Sequence, residues 1–214
     1  MAAQETKTWA EYLKGQSMEG YFSYLAFHAP MVEAILEVEP KRAVEVGCGG
    51  GNLSIFLSQV GVNALGLDIE AAVIEEAARH NRNLRGQAEF RVGDGFATGL
   101  QDQSYDIVHS QGVLEHFDDG QIERFLAEGI RIARRSVHSM PNINYPSRDF
   151  GNERLMREDF WAARCEAAGR LAGRAVTVRT LDYRRRFHKR HIINSLRNRL
   201  LNRCFFTLAV IDTA

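Results

Sequence analysis

Two rhythms of apolar residues alternate along this chain. Short runs with a two-residue period, or with unbroken β-branched character, read as strands over 43–46, 63–67, 88–92, 105–109, 136–140, 175–181 and 204–211. Between the early runs the spacing becomes helical. Leu53, Phe56, Leu57 and Val60 fall at i, i+3, i+4 and i+7. Val73, Ile74, Ala77 and Ala78 stripe a helix over 71–81, and Ile122, Phe125, Leu126, Ile130 and Ala133 stripe another over 121–134. Asp118 and Asp119 stand where they can cap that second helix. A further helix is expected over 156–168. Pro30 suits the first turn of a helix carrying Val32, Ile35 and Leu36, and Pro40 stops it.

Five strand-then-helix units call for a parallel sheet covered by helices on both faces, and the last two strands, lacking a full crossover, suggest an antiparallel edge. In such sheets ligands lie beyond the carboxyl ends of the strands, where strand order reverses. Residues 45–51, 68–69, 94–96, 109–116 and 140–145 should therefore converge. Residues 1–29 are aromatic-rich, with Trp9, Tyr12, Tyr21, Phe22, Tyr24 and Phe27. Tyr21, Tyr24, Leu25 and His28 have helical spacing, so the segment 1–39 is either a helix packed on the sheet or a lid over the ligand.

Composition narrows the class without deciding it. At 214 residues, one domain over 1–214 is expected. Lys plus Arg equals Asp plus Glu, at 27 each, so net charge argues for neither nucleic acid nor a membrane surface. Cys48, Cys165 and Cys204 are few and scattered, which fits a reducing compartment and excludes a disulfide framework or a cysteine metal site; no metal is expected. The start has no apolar signal-peptide core, and no run approaches a membrane span. A cytoplasmic protein is expected.

The chemistry concentrates at Glu45-Val-Gly47-Cys-Gly49-Gly-Gly51, directly after the first strand. The dinucleotide fingerprint G-x-G-x-x-G, counted from Gly47, needs a third glycine where Asn52 stands, so that reading fails. Asp68 follows Gly51 by 17 residues and closes the second strand, where a carboxylate can reach ribose hydroxyls. The E-x-G-x-G-x-G pattern resembles the first motif of class I S-adenosylmethionine-dependent methyltransferases. Gly66-Leu-Asp68-Ile69, Gly93-Asp94-Gly95-Phe96 and the stretch from Tyr105 to His116 resemble the second, third and fourth, in the right order. The resemblance covers roughly residues 40–170. It implies a Rossmann-like doubly wound α/β fold with a mostly parallel seven-stranded sheet and an antiparallel edge strand, and S-adenosylmethionine as cofactor. It also implies residue roles. Gly47, Gly49 and Gly51 would let the backbone pass the cofactor, with Glu45 orienting the loop and facing the amino group. Asp68 would hold the ribose hydroxyls and Ile69 would cover adenine. Asp94 and the Gly95 N–H would face the adenine edge, Phe96 would pack on the ring or in the core, and Gln111 would meet the methionine part. Cys48 reads as a loop filler.

A sulfonium methyl is already well activated, so the protein must chiefly hold a nucleophile in line with it. If the nucleophile must lose a proton, His116, His109 and His28 are candidate bases, with His116 the one assigned. Glu115 reads as a loop anchor. Asn142 and Tyr145 either touch substrate or shape the turn after the fifth strand. Over 182–203, Arg184-Arg-Arg-Phe-His-Lys-Arg-His191 and then Arg197, Arg199 and Arg203 make a basic helical insertion. It is a solvated face or a docking surface for an acidic small molecule, RNA or an anionic protein. The leading expectation is methyl transfer to a small-molecule acceptor. The rivals are an RNA or protein methyltransferase, disfavoured by neutral charge and by His-Ser-Gln-Gly at 109–112, and a non-catalytic cofactor-binding subunit.

Overall fold

The computed structural model describes residues 17–148, 150–184 and 204–213. The basic run beyond Arg184 and the aromatics Trp9 and Tyr12 lie outside the described residues. The chain begins with α1 (Met18–Phe27) and α2 (Ala29–Leu36), then runs β1 (Arg42–Val46), α3 (Asn52–Gln59), β2 (Asn63–Asp68), α4 (Ala71–Asn83) and β3 (Glu89–Val92). It continues through β4 (Tyr105–Gln111), a short 3-10 turn Leu114–His116, α5 (Asp119–Ile132), β5 (Ala133–Pro141), α6 (Glu158–Leu171), β6 (Val176–Tyr183) and β7 (Phe206–Thr213).

The strands form one sheet in the order β3-β2-β1-β4-β5-β7-β6. β1 pairs in parallel with β2 on one side and β4 on the other, so the chain reverses its direction of winding between them. The antiparallel pairing lies at the far edge, where β7 runs against both β5 and β6. Alternate strand residues serve opposite faces. Ala43, Ile107, Val137 and Val210 pack with Met31, Ile35, Leu53 and Leu57 from α2 and α3. Val44, Val46, Val108 and Ile211 pack with Ile122, Leu126, Ile130 and Trp161 from α5 and α6.

Three boundaries differ from the sequence reading. β5 starts at Ala133, not 136, with no loop after α5. The Gln103 side-chain amide donates to the carbonyls of Ile130, Arg131 and Ala133, at 3.0, 3.1 and 3.1 Å, so the open end of the helix is capped from a distant loop. α6 starts at Glu158, not 156, because Met156 is committed to a β-bridge with Asn142. β4 runs on to Gln111, making that residue the last of the strand. Asp118 does cap α5, in a reciprocal pair with Gln121.

His109 sits on β4 at 0% exposure with neither ring nitrogen partnered. Burial, with the neighbouring His138 adding to it, pushes its pKa down to about 3. An apolar replacement removes two unsatisfied groups, so His109→Leu is expected to raise stability by about 1–3 kcal/mol. Thermal denaturation checks this; a lower melting temperature would contradict it.

Candidate functional site

The site is built outward from the end of β1. Glu45 points to the α3 side of the sheet and is buried, and its Oε2 accepts from the Ser54 N–H (3.0 Å) and the Ser54 hydroxyl (2.7 Å). The helix cap at Gly51 carries no side-chain acceptor, so Glu45 supplies one from the strand. Burial pushes the Glu45 carboxyl up to about 7, against the pull of the Ser54 bonds. The N–H groups of Gly47 and Cys48 both donate to the Leu67 carbonyl, at 2.8 and 2.9 Å, clamping the loop over β2. Gly47 has φ +73°, and a Cβ there would meet Val113 at 2.5 Å, so only glycine fits.

Asp68 closes the clamp. Its Oδ2 accepts from the Gly49 N–H (3.1 Å) and its Oδ1 from the Glu70 N–H (3.2 Å). Ile69 beside it is 70% exposed although apolar. Asp94, after β3, accepts from the Phe96 N–H at 2.9 Å. A Cβ on Gly95 would meet Phe125 at 2.6 Å and Val46 at 2.8 Å. Phe96 packs with Phe117 and Phe125, at centroid separations of 5.0 and 5.9 Å, and also lines the cavity. Gln111 Oε1 accepts from the Tyr24 hydroxyl at 3.0 Å. His116 Nδ1 lies 2.8 Å from Asn152 Oδ1, to which it donates.

These residues surround a cavity of about 630 Å³ at the point where β1 lies between β2 and β4. Asp68, Ile69, Asp94 and Phe96 line it on the β2–β3 side, and Gln111, Glu115 and His116 on the β4–β5 side. α1 covers it: Gly20 and Tyr24 line it, while Tyr21 is buried against α3 with its hydroxyl 2.8 Å from Gln59 Oε1. The helix that packs on α3 thus also forms part of the cavity wall. The wall carries Glu45, Asp68, Glu70, Asp94, Glu115 and Glu153, and no Lys or Arg among the described residues.

Three residues expected at the cavity do not line it. Gly51 does not line the cavity; it is buried, and a Cβ there would lie 2.5 Å from the Phe90 ring, so its role is packing of the loop. His109 and His28 do not line it either. His28 is buried with Nδ1 2.7 Å from the Tyr183 hydroxyl, and burial pushes its pKa down to about 3, so neither histidine is a base for this cavity. Asn142 shapes the turn, its Oδ1 accepting from the Asn144 N–H at 3.0 Å, whereas Tyr145 does line the cavity. Cys48 is buried and its thiol is pushed well above the usual range by burial, as a loop filler should be. Glu115 lines the wall, which the anchor reading missed, and so do Asn152, Glu153 and Phe206. No local motif marks the last three. Asn152 and Glu153 arrive because the Arg154 N–H donates to the Glu115 carbonyl (2.8 Å) and Asn142 bridges to Met156, and Phe206 because β7 pairs it with Pro141.

A doubly wound sheet with an acidic cavity and a glycine loop at its switch point defines an α/β domain for a nucleoside-containing cofactor. The methyltransferase-domain family model matches residues 43–136. Over that stretch the chain matches a methyltransferase domain, of a family whose cofactor is S-adenosylmethionine. Among curated proteins it is 28% identical over 118 residues to the ubiquinone biosynthesis O-methyltransferase of Hydrogenovibrio crunogenus, covering 54% of this chain and 49% of that one. It is 30% identical over 89 residues to the protein of the same name from Methylococcus capsulatus, covering 41% and 38%. The chain thus spans about half the length, or less, of these relatives. Among solved structures, a protein from Pyrococcus horikoshii superposes with a TM-score of 0.68 at 14% identity, covering 94% of this chain and 93% of that one. Magnesium protoporphyrin IX methyltransferase from Synechocystis, with bound S-adenosylhomocysteine, gives 0.66 at 16% identity, covering 95% and 92%. At those identities the likeness speaks for the fold. Among the described residues no helix is long and apolar enough to cross a membrane.

Proposed function

We propose that this chain transfers the methyl group of S-adenosylmethionine to a small-molecule acceptor. The observation that carries the proposal is the acidic lining of the cavity: six carboxyl groups and no described Lys or Arg suit a ligand bearing a sulfonium and an ammonium group. When bound, the cofactor supplies an activated methyl on a good leaving group. The chain supplies placement. Asp68, already fixed by two backbone N–H groups, would present its remaining acceptor capacity to the ribose hydroxyls. Ile69 would cover one face of adenine, with Asp94 and Gly95 at its edge and Phe96 behind. Gly47 and Gly49 would let the backbone approach. Glu45 would act by holding the loop and by its charge, since one of its oxygens is occupied by Ser54. Gln111 would meet the methionine end. The cavity volume falls in the usual range for small-molecule sites. The names of the curated relatives above support an oxygen acceptor.

Isothermal titration calorimetry tests the reading. Asp68→Ala is expected to weaken S-adenosylmethionine binding by about 1.5–3 kcal/mol, the range for a charged hydrogen-bonding group. Asp68→Asn, which keeps an acceptor for the Gly49 N–H, separates loss of charge from loosening of the loop. A wild-type chain that does not bind S-adenosylmethionine would end the proposal.

A further inference from the structure

Of the three cavity carboxyls given no cofactor role above, Glu70, Glu115 and Glu153, the last two are buried. Glu115 comes from the 3-10 turn after β4 and Glu153 from the loop after β5. Glu115 is 3% exposed and Glu153 is 7% exposed, yet both line the cavity. On each, Oε2 is buried without a hydrogen-bond partner. A buried polar oxygen without a partner is costly, and two on one cavity wall call for a ligand hydrogen to meet them. Strand order puts them on the β4–β5 side, away from Asp68, Ile69 and Asp94 on the β2–β3 side.

The two environments differ. Burial, with a contribution from the Glu153 charge, pushes the Glu115 carboxyl up to about 8. Burial also works on Glu153, but backbone N–H bonds, led by that of Phe150 at 2.7 Å, and the nearby His116 outweigh it and hold the carboxyl below its ordinary value. A pair of carboxyls with separated affinities for a proton is the arrangement that proton-transfer sites use. The surrounding wall is aromatic, with Tyr24, Tyr145, Phe150 and Phe206, and carries no described Lys or Arg. An anionic acceptor would face two carboxyls there, whereas a neutral ring bearing a hydroxyl finds both a surface and an oxygen.

We propose that Glu115 is the proton acceptor for a neutral hydroxyl acceptor, with Glu153 beside it as a positioning residue. The inference rests on the methyl-transfer reading above. In the step, the acceptor O–H bond breaks and its proton passes to the Glu115 carboxylate. The electron pair left on oxygen forms the new O–CH3 bond as the methyl carbon's bond to sulfur breaks, that pair remaining on sulfur. His116 takes a positioning role instead of the base role expected from sequence. Its Nδ1 is engaged by Asn152, its ring meets Phe150 edge to face at 6.0 Å, and it helps keep Glu153 ionised.

The test uses the full chain with E115Q, E153Q and H116Q, and two probes. Phenol must lose a proton to react; 4-nitrophenol is already largely ionised in mildly alkaline buffer. All variants are expected to bind S-adenosylhomocysteine about as the wild type does. With phenol, wild-type kcat should rise with pH through about 8. E115Q should cost about 10²–10⁴-fold and abolish that rise, yet cost less than about tenfold with 4-nitrophenol. E153Q should shift the rising limb to lower pH, because the charge that lifts Glu115 is gone, and H116Q should leave a limb in place. A readout independent of turnover is the phenolate absorbance of 4-nitrophenol bound beside S-adenosylhomocysteine. A neighbouring carboxylate disfavours phenolate, so the bound probe should ionise at higher pH in wild type than in E115Q. Equal losses with both phenols, an unchanged ionisation of the bound probe, a rising limb lost in H116Q instead of E115Q, or no binding or methylation of phenol by a chain that binds S-adenosylhomocysteine overturns the proposal. A chain that fails to bind S-adenosylhomocysteine overturns the methyl-transfer reading instead.

Discussion

Gly51→Ala is expected to destabilise the fold by about 2–5 kcal/mol, the sum of a backbone and a packing cost. Gly51 has φ +71° at the start of α3. An L-residue held in that left-handed region costs about 1–2 kcal/mol. The new methyl would stand 2.5 Å from two ring carbons of Phe90 and 3.5 Å from the Ala77 Cβ. Phe90 cannot simply retreat, because it packs against both the cluster under α2 and α3 and the cluster around Tyr21 and Ile55. Overpacking of that kind costs about 1–3 kcal/mol more. Gly99→Ala is the control. Its φ is +69° but nothing lies within 4 Å, so it should show the backbone cost alone. Phe90→Leu in the Gly51→Ala background should recover part of the difference, and the double-mutant cycle measures the contact. Equal melting temperatures for the two glycine variants would contradict the packing argument.

Stability is expected to peak near pH 6.5 and to collapse below about pH 4.5. His28, His109 and His138 are buried, and burial pushes each down to about 3. Below 6.5 the unfolded chain takes up protons that the folded chain refuses, so stability is lost as pH falls from 6.5 toward 3. Each group contributes about 1.4 kcal/mol per pH unit. Glu45 and Glu115 have the opposite sign. Burial pushes them up to about 7 and about 8, so the folded chain keeps protons that the unfolded chain has lost, and stability declines as pH rises from 4.5 through those values. Between 4.5 and 6.5 the two carboxyls offset two of the three histidines, leaving a slope of about 1.4 kcal/mol per pH unit. Below 4.5 the carboxyls are protonated in both states and the histidines act unopposed, at about 4 kcal/mol per unit, enough to exhaust a typical net stability within two units. Urea denaturation at a series of pH values checks the profile. His109→Leu should reduce the acid slope by about a third. A flat profile between pH 3.5 and 6 would refute the assignment of neutral, buried histidines.

The residues that sequence reading placed correctly are those whose roles follow from short stretches of chain. The strand, glycine loop and helix around Glu45–Asn52 are set by β-branched residues, by positions that tolerate only glycine, and by a helical stripe beginning at Leu53. Asp68 was legible because a strand that ends in a carboxylate beside such a loop has one place to point, and the structure puts its oxygens on Gly49 and Glu70. Ile69 beside it and Asp94 at the next strand end followed by the same logic. The reading faltered where one residue type serves two purposes. Gly51 has the motif's spacing but turns toward Phe90, and the histidines share a chemistry that only burial sorts.

By itself, the sequence determined the order of elements, the parallel sheet with its antiparallel edge and most of the acidic series lining the cavity, because period and turn chemistry act over a few residues. Only the tertiary structure decided what long-range contacts decide. Gln103 caps α5 and lets β5 begin at Ala133. α1 lays Tyr24 over Gln111 from 87 positions away. The loop after β5 folds back so that Glu153 stands on the same wall as Glu115. Those placements depend on which surfaces bury one another, and burial in turn sets which carboxyl keeps its proton.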